Sequence, residues 1–475
     1  MNNLKKTKIV CTIGPATETP EMIEKLAYSG MNIVRMNFSH DIHENHLKRM
    51  NMVRDVTEKT GITLGIMLDT KGPEIRCGVM QNDLLEFTKG DTVRVVSNDG
   101  LIGTNERISI SVPEVIKDVK PGNYLLIDDG KMRLDINEVL ENELVCTVAN
   151  SGVIKTRKGV NVPNVVLSMP FISAKDDSDI RFGAKNNVDF IAASFVRRAE
   201  DVSAIRSILI EEGKEDIQII AKIENQEGVD NIDAILQVAD GVMVARGDLG
   251  VEVKTELVPI YQKHIIARAN FVGKPVITAT HMLDSMVTSP RPTRAEASDV
   301  ANAILDGTDA IMLSAESAAG EYPVEAVDVM NNISHEIEKI IPYRTRLDLS
   351  IKSSRKTIQD SIGIAIVEAT LNLEEVEAII AFTQSGNTAR RISKFRPPVP
   401  VFAVTFTHEV ERALQGNWGV IPVFSDIRND MTNDDELASI VAKTFGIAPG
   451  RLVIITAGYP TGEGTANMMK IVKVK

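Results

Sequence analysis

The stretch QIIAKIENQEGVD, residues 218–230, places two charged side chains at the end of an unbroken apolar run. An apolar run of this length without alternation is typical of a strand that is buried on both faces. Lys222 and Glu224 lie two positions apart, and side chains at i and i+2 of a strand share a face. The stretch alone leaves two interpretations open: a structural ion pair where a strand reaches water, or a catalytic pair at the mouth of a parallel barrel.

The composition is that of a globular protein. With 475 residues, 43% hydrophobic and 25% charged, the chain is long enough for several domains. A net charge of −12 argues against nucleic acid or anionic membrane surfaces as partners, but not against a phosphorylated substrate in a local basic pocket. The cysteines, Cys11, Cys77 and Cys146, show no zinc spacing or disulfide framework, and the first apolar run ends at Gly14-Pro15. We therefore expect a cytoplasmic protein without a signal peptide or membrane span.

Short apolar strands alternate with helices in residues 1–70 and again in residues 171–345. Such alternation predicts parallel strands joined by right-handed crossovers. Three strands precede the interruption and five follow it, namely KIVCTIG, MNIVRMNFS, TLGIMLDT, VDFIAASFV, QIIAKIEN, DGVMVARGD, KPVITAT and TDAIMLSAES. Eight units predict a (β/α)₈ TIM barrel. Thr293 and Glu296 have the spacing of a capping box at the start of one of its helices.

Two further domains are predicted. Residues 71–170 contain short β-rich segments with turns such as Asp128-Asp129-Gly130, which indicate a small antiparallel barrel or sandwich inserted into the first domain. An insertion at this place would act as a lid that excludes water. Residues 346–475 contain EAIIAFT, VPVFAVT, VIPVFS and RLVIITAG between helices, which predicts a smaller doubly wound α/β domain.

Polar residues follow most of the predicted barrel strands. In a (β/α)₈ barrel the active site lies at the carboxyl ends of the strands, so these residues would converge. They are Arg35, Asn37, Ser39, Asp69, Thr70, Lys222, Glu224, Gly247, Asp248, Thr278, Thr280 and Glu316. Cations, carboxylates and hydroxyls at one mouth favour an active site over strands that merely end at water.

The charged members of this set suggest phosphoryl transfer or enolate stabilisation. Glu224 and Asp248 offer hard oxygen ligands, too few for a closed cage, which suits Mg²⁺. Arg35 and Lys222 would hold a phosphate or a carboxylate. Such chemistry needs compensation of developing negative charge. No Walker A motif, kinase glycine-rich loop or dinucleotide fingerprint occurs in the sequence, so a nucleotide would be held differently.

The remaining strand-end residues could host a monovalent cation. Asn37, Ser39, Asp69 and Thr70 bring neutral oxygens and one carboxylate. Ordinary alternatives exist for each of them. Asn37 and Ser39 could cap the following helix, and Asp69 could pair with Arg35 or Lys71.

Ten stretches of this chain resemble the pyruvate kinase family. They are KIVCTIGP, VRMNFSH, LDTKGPEIR, TRKGVNVP, SFVR, IIAKIENQEGV, VARGDLGVE, ITATHML, PTRAEASDVANAILDG and MLSAES. The resemblance extends over essentially the whole length, insertion and C-terminal domain included. It implies transfer of the phosphoryl group of phosphoenolpyruvate to ADP, giving pyruvate and ATP.

The resemblance also implies roles at the substrate. Lys222 would be the cation beside the transferring phosphoryl group, and Arg35 would bind that group. Glu224 and Asp248 would ligate Mg²⁺ (or Mn²⁺). The backbone of Gly247 would contact the substrate carboxylate. In the same way, Thr280 would lie near the methylene carbon that is protonated.

For the other ligands the resemblance implies a K⁺ site and a nucleotide site. Asn37, Ser39, Asp69 and Thr70 would bind K⁺. Glu74 is typical of members that depend on K⁺. In other members a lysine at this position replaces the ion. The nucleotide would contact Arg76, Lys158 and the loop of Asn37, Phe38, Ser39 and His40.

Two positions differ from much of the family. His281, beside Thr280, stands where many members have glutamine. TQSGNTARR, residues 383–391, contains the loop at which members bind a phosphorylated activator, here Thr383, Ser385, Gly386, Asn387 and Thr388. Asn387 stands where some members activated by fructose bisphosphate have a basic residue, and an ordinary tight turn explains the pattern equally well. A homotetramer is implied by the family alone.

Alternative interpretations are also open. His40, His43 and His46 lie close in sequence, and we expect an exposed helix start there rather than a zinc site. A magnesium-dependent lyase or mutase acting on phosphoenolpyruvate or pyruvate would share the metal–enolate site, but it has no need for Arg76 and Lys158. A sensor without catalytic activity would have no need for Lys222.

Overall fold

The computed structural model describes residues 4–97, 100–428, 433–458 and 466–475. Three strand–helix units open the fold: β1 (Lys8–Thr12), α1 (Pro20–Ser29), β2 (Ile33–Asn37), α2 (His43–Thr60) and β3 (Gly65–Asp69). α1 shows why the chain becomes helical where it does. The Thr19 side chain accepts a hydrogen bond from the Met22 backbone, Pro20 occupies the first turn, and Gly30 ends the helix with φ of 118°.

A β-rich insertion follows β3. Its elements are β4 (Ile75–Arg76), β5 (Leu84–Phe87), β6 (Thr92–Val96), β7 (Arg107–Ser109), α3 (Glu114–Asp118), β8 (Tyr124–Ile127), β9 (Met132–Val139), β10 (Glu143–Val148), β11 (Gly152–Lys155) and β12 (Gly159–Asn161). Seven strands form one sheet in the order β4-β12-β8-β9-β10-β6-β7. Ser111 N donates to Arg76 O and Gly78 N donates to Ser109 O, each at a distance of 2.9 Å. These hydrogen bonds join the two edges of the sheet, which therefore closes into a barrel. The small barrel is antiparallel except for β6 and β7, which pair in parallel.

The strand–helix alternation then resumes. Its strands are β13 (Phe190–Ala193), β14 (Gln218–Ile223), β15 (Gly241–Ala245), β16 (Val276–Ala279) and β17 (Ala310–Leu313). Its helices are α4 (Ala174–Lys185), α5 (Ala199–Glu211), α6 (Gln226–Asp230), α7 (Ile232–Val238), α8 (Arg246–Glu252), α9 (Val258–Val272), α10 (Arg294–Asp306), α11 (Ala315–Ala318) and α12 (Pro323–Ile340). α10 begins with the predicted capping box of Thr293 and Glu296.

These five strands close a parallel barrel with the first three, in the order β1-β17-β16-β15-β14-β13-β3-β2. The predicted (β/α)₈ barrel is therefore confirmed. The barrel interior is filled by apolar side chains, among them Val10, Ile33, Met67, Phe190 and Ile220. The opposite strand faces pack against the surrounding helices in a second, larger core.

The C-terminal region is a doubly wound sheet. Its elements are α13 (Tyr343–Ser353), α14 (Ile358–Asn372), β18 (Val376–Phe382), α15 (Asn387–Lys394), β19 (Val401–Thr405), α16 (His408–Ala413), β20 (Val420–Phe424), α17 (Asp434–Thr444), β21 (Leu452–Ala457) and β22 (Met468–Lys473). The strand order is β20-β19-β18-β21-β22, with apolar cores on both faces. The sequence predicted four of these strands and missed β22, an antiparallel edge strand of mixed polarity.

Ion pairs with buried carboxylates join this sheet domain to the barrel. Arg396 donates to both Asp309 oxygens, at 2.7 and 2.9 Å, and Arg412 donates to Asp189 at 2.8 Å. The domain boundaries at residues 70/71, 170/171 and 345/346 stay predictions. Within the described residues, no helix is long and apolar enough to cross a membrane.

Candidate active site

A layer of polar side chains lies directly above the apolar filling of the barrel. Interior positions alternate along each strand, so the residue two places beyond an interior apolar residue also faces inward. Arg35 follows Ile33, Asp69 follows Met67, and Lys222 follows Ile220 in this way. The alternation therefore brings one cation, one carboxylate and a second cation from three strands to one mouth.

Asp69 links the two cations of this mouth. Its Oδ2 accepts from Arg35 Nε at 2.5 Å, and its Oδ1 lies 3.1 Å from Lys222 Nζ. Burial by itself would raise the pKa of Asp69, but Arg35 and Lys222 outweigh burial and hold that pKa below its ordinary value. Arg35 also donates to the Thr12 hydroxyl at 3.0 Å. The guanidinium and the ammonium are thus held side by side around one ionised carboxylate.

Ser194 belongs to the same cluster and was missed by sequence reasoning. Its hydroxyl lies 2.7 Å from Lys222 Nζ, 2.7 Å from Thr70 O and 3.1 Å from Asp69 Oδ1. Ser194 follows the interior residue Ala192 by two positions, so the alternation that identified Asp69 would also have found it. A single hydroxyl in SFVR carries no charge, and for that reason it did not stand out.

Glu224 shares the inward face with Lys222, which answers the question raised by their spacing. The carboxylate is fully buried; its Oε2 accepts from Phe195 N at 2.6 Å, and its Oε1 lies 3.1 Å from Lys222 Nζ. Burial raises the pKa of Glu224 to about 7, against the opposing effect of Lys222. For Lys222, burial lowers the pKa, but Asp69 and Glu224 outweigh it and hold the pKa above its ordinary value.

Asp248 lies in the first turn of α8 rather than on a strand, since β15 ends at Ala245. The sequence placed it at the strand end because Asp248 comes directly after the apolar run of β15, and no side-chain cap marks the start of α8. The preceding residue, Gly247, donates its N–H to the Thr280 hydroxyl at 2.7 Å. Thr280 and His281 both adopt left-handed backbone conformations, with φ of 68° and 54°. This turn thus brings Thr280 against the start of α8.

The carboxylates fit a divalent cation. Glu224 Oε1 is buried, and no donor in the described chain is aligned to hydrogen-bond it. Asp248 is close enough to raise the pKa of Glu224, an effect secondary to burial and Lys222. Among the described residues, no group of three or more His, Cys, Asp and Glu side chains forms a closed metal cage. Two carboxylate ligands leave coordination positions open for water and substrate oxygens, an arrangement that suits Mg²⁺ or Mn²⁺.

The expected monovalent site lies where β2 and β3 end. Phe38 N donates to Asp69 O at 3.0 Å, which ties the two strand ends together. Asn37 Oδ1 accepts from Ser39 N at 3.1 Å, while α2 begins only after Ile42 and has no side-chain cap. The helix-capping alternative for Asn37 and Ser39 is therefore wrong. Thr70 Oγ1 accepts from Ser194 N at 3.1 Å.

A cleft of about 540 Å³ separates the inserted domain from the barrel. Glu74, Arg76 and Lys158 line it from the inserted domain and Asp248 from the barrel. Arg76 Nε donates to Glu74 at 2.9 Å. Lys158 Nζ lies 2.8 Å from Asp128, a residue of the same cleft. The cations expected to contact the nucleotide are therefore balanced by carboxylates of the inserted domain.

Two strand-end residues do not belong to the mouth. Thr278 faces the helix layer, where its hydroxyl donates to the Thr308 hydroxyl at 3.0 Å. Glu316 lies in α11 and accepts from the backbone N–H groups of Leu283 and Ser314, at 3.1 and 2.8 Å. Both were expected at the mouth, but both have structural hydrogen bonds. β16 points Thr278 outward, and β17 ends before Glu316.

The histidine-rich stretch is only partly exposed. His40 is exposed as expected, but His46 is 2% exposed and stacks on Phe38 with ring centroids 3.8 Å apart. The expectation of an exposed helix start is wrong for His46, because α2 turns this residue toward the barrel.

The C-terminal loop connects β18 to α15 as predicted. Gly386 caps α15 with φ of 83°, a conformation that favours glycine. The side chains of Thr383 and Thr388 are buried, whereas Ser385 and Asn387 are exposed. Arg390 Nη1 donates to Ser385 O at 3.0 Å. The loop has the strand–turn–helix form that an anion site requires.

Comparisons with known proteins agree on one family. The model "Pyruvate kinase, barrel domain" matches residues 4–327, and "Pyruvate kinase, alpha/beta domain" matches residues 360–472. A pyruvate kinase of Staphylococcus epidermidis is 52% identical over 474 residues, 98% of this chain and 80% of the relative. One of Staphylococcus aureus is 51% identical over 473 residues, with the same coverage. The crystal structure of a pyruvate kinase from Cryptosporidium parvum has a TM-score of 0.95 and 39% identity, covering 99% of this chain and 96% of that one.

Proposed function

The chain belongs to the pyruvate kinase family, and from this premise we propose that it transfers the phosphoryl group of phosphoenolpyruvate to ADP, giving pyruvate and ATP. The observation that carries the proposal is the environment of Lys222. Lys222 is 8% exposed, and its ammonium lies within 3.1 Å of Asp69, Ser194 and Glu224 at the barrel mouth. A fixed cation at this place would compensate the charge that develops on the transferring group.

Arg35 supports the same reaction from the neighbouring strand. Its guanidinium would hold the phosphoryl group while Lys222 faces the oxygen that becomes the enolate. Asp69 keeps both cations in position, so that neither must reorganise during the transfer. Little covalent chemistry is required of the protein, because phosphoryl transfer depends mainly on positioning and charge compensation.

Glu224 and Asp248 would hold Mg²⁺ or Mn²⁺, which when bound supplies Lewis-acid polarisation of the substrate oxygens. Gly247 would contact the substrate carboxylate through its backbone. Its N–H now donates to Thr280, so the threonine hydroxyl would rotate away as substrate binds. Thr280 would then lie near the methylene carbon that receives a proton through water, with His281 adjacent.

The nucleotide and monovalent cation would occupy the β2–β3 side of the mouth. Asn37, Ser39, Asp69 and Thr70 would bind K⁺, with Glu74 making the enzyme K⁺-dependent. The loop of residues 37–40, including Phe38 and His40, would contact ADP. Arg76 and Lys158 would reach it from the inserted domain, residues 71–170, which would close as a lid.

Regulation and context extend the proposal. A phosphorylated metabolite would bind at Thr383, Ser385, Gly386, Asn387 and Thr388 and activate the enzyme through residues 346–475. The enzyme would act in the cytoplasm as a homotetramer and catalyse the last step of glycolysis. The N-terminus of α15 supports this site, because the backbone N–H groups and the dipole at a helix N-terminus favour phosphate.

The test is pyruvate formation from phosphoenolpyruvate and ADP with Mg²⁺, in K⁺ and in an inert cation. Turnover that requires K⁺ is expected. Turnover in both media would retain the kinase and overturn the monovalent site. Absence of turnover with AMP, ribose 5-phosphate, glucose 6-phosphate and fructose 1,6-bisphosphate each added would overturn the reaction and favour the lyase or the sensor.

A further inference from the structure

The loop of residues 37–40 is held from its outer side by two helices. Phe38 is 1% exposed and packs in the core between strands and helices, whereas Asn37 and Ser39 are half-buried. Alternation therefore divides the loop into an anchoring residue and two polar residues on the other side. The backbone carbonyls of the loop decide how firmly those polar side chains are oriented.

Lys175 of α4 binds the first of these carbonyls. Its Nζ donates to Phe38 O at 2.7 Å and to Asp179 Oδ2 at 2.6 Å. The Asp179 side chain is 2% exposed, and its other oxygen lies 2.7 Å from His43 Nε2. A buried carboxylate with two partners fixes the ammonium, so the hydrogen bond to Phe38 O is charge-assisted and preorganised.

His46 of α2 binds the second carbonyl. Its Nε2 lies 2.9 Å from His40 O, and because a carbonyl only accepts, Nε2 carries the proton. The Nδ1 atom is buried without a hydrogen-bond partner in the described part of the chain. Burial lowers the pKa of His46, which agrees with a neutral ring. The ring also stacks on Phe38 at an interplanar angle of 11°.

We propose that Lys175 and His46 are positioning residues that orient Asn37 and Ser39 for the monovalent cation and the nucleotide by binding the carbonyls of Phe38 and His40. The inference rests on the proposed function, since it concerns ligands of that same site. Neither residue is placed in contact with substrate. Each acts through a backbone carbonyl of the loop.

Lys175→Met is the principal test, because Lys175 is 44% exposed and methionine keeps the aliphatic stem. Lys185→Met is its matched control, on the same helix but 4.0 Å from Glu212 and away from the loop. Hydrogen exchange of residues 37–42 is expected to accelerate in Lys175→Met only. The dissociation constant for ADP and the half-saturating K⁺ concentration are each expected to rise about tenfold, the loss expected for one charge-assisted hydrogen bond.

His46→Gln and His46→Leu form the second pair. Glutamine can still donate to His40 O, so it is expected to retain ADP binding more nearly than leucine does. In all variants the KM for phosphoenolpyruvate is expected to change less than the ADP and K⁺ constants, a split that general destabilisation would not produce. Identical loop exchange and ADP affinity in Lys175→Met and Lys185→Met would overturn the inference. Loop exchange and ADP binding by calorimetry decide it even if no pyruvate forms, an outcome that would count against the proposed function alone.

Discussion

The Ser194 hydroxyl lies 2.7 Å from the Lys222 ammonium and also donates to the carbonyl of Thr70, the residue directly after β3. This contact connects the expected catalytic cation to the strand that carries Asp69. Lys222 therefore has three neighbours. Asp69 and Glu224 form ion pairs with its ammonium, and Ser194 orients the ammonium through a hydrogen bond to its neutral hydroxyl.

Ser194→Ala is expected to lower kcat about tenfold, because the ammonium loses the neutral partner that orients it. Ser194→Thr keeps a hydroxyl and is expected to recover part of the rate. Ser203→Ala is the control, since that exposed hydroxyl donates only to Ala199 O in its own helix. Steady-state kinetics with equal kcat for Ser194→Ala and Ser203→Ala would show that the contact is irrelevant to turnover.

Divalent-cation affinity is expected to depend on the protonation of Glu224. The folded-state pKa is raised to about 7 from 4.5, so the carboxyl is largely protonated below that pH. Metal binding requires the carboxylate, and Mn²⁺ affinity is expected to fall about tenfold per pH unit below 7 and to level off above it. Calorimetric titration with Mn²⁺ over about 1.5 pH units on either side of pH 7 measures this dependence of the affinity on pH.

The same raised pKa makes a stability prediction for the metal-free protein. The folded state binds the proton more tightly than the unfolded state, so this contribution is present in full below about pH 4.5 and is lost as pH rises through about 7. Glu224→Gln is expected to flatten both pH profiles. An Mn²⁺ affinity that stays constant across the range would contradict the assignment of Glu224.

Glu74→Lys is expected to make turnover independent of K⁺, because an ammonium would supply the positive charge of the ion. Lys71 lies 3.6 Å from Glu74 Oε2, and Arg76 donates to the same oxygen, so the substitution also frees these two cations from the carboxylate that they contact. Glu86→Lys, on the exposed face of β5, is the charge-matched control. Initial rates in K⁺ and in an inert cation distinguish the variants; a Glu74→Lys enzyme still activated by K⁺ would remove Glu74 from the account.

Arg396→Met is expected to destabilise the protein by about 3–5 kcal/mol, because it leaves the buried Asp309 without its cation. Among the described residues, the Asp309 carboxylate would keep the backbone donors of Trp418 and Val276. Arg344→Met breaks an exposed pair with Glu368 and is expected to leave the urea midpoint unchanged. Equal midpoints for the two variants would mean that the Arg396 pair contributes nothing between barrel and C-terminal domain.

Much of the barrel could be predicted because its strands are buried on both faces. Their apolar runs are unambiguous, and alternation along β14 and into the residue that follows it places Lys222 and Glu224 on one face. The same alternation predicts the inward direction of Arg35 and Asp69. Local pattern was sufficient wherever a strand alone positions the side chain.

Prediction failed where tertiary contacts decide. α8 begins directly after β15 without a side-chain cap, so no sequence signal marked the helix start at Arg246. His46 is buried only because α2 packs on the barrel, and a polar ring there gives no hydrophobic signal. β22 has exposed and half-buried positions of mixed polarity, and it pairs antiparallel with β21 at the edge of the sheet, so its sequence carries no clear strand pattern.

The most direct measurement is pyruvate formation by the wild-type chain and by Lys222→Met, with phosphoenolpyruvate, ADP, Mg²⁺ and K⁺ at saturation. Lys263→Met, which alters an exposed lysine paired with Asp306 on the outer helix layer, is the control. We predict turnover in the wild type and the control, and a loss of at least ~10³-fold in Lys222→Met with an unchanged circular dichroism spectrum. Undiminished pyruvate formation in a folded Lys222→Met protein would contradict the account.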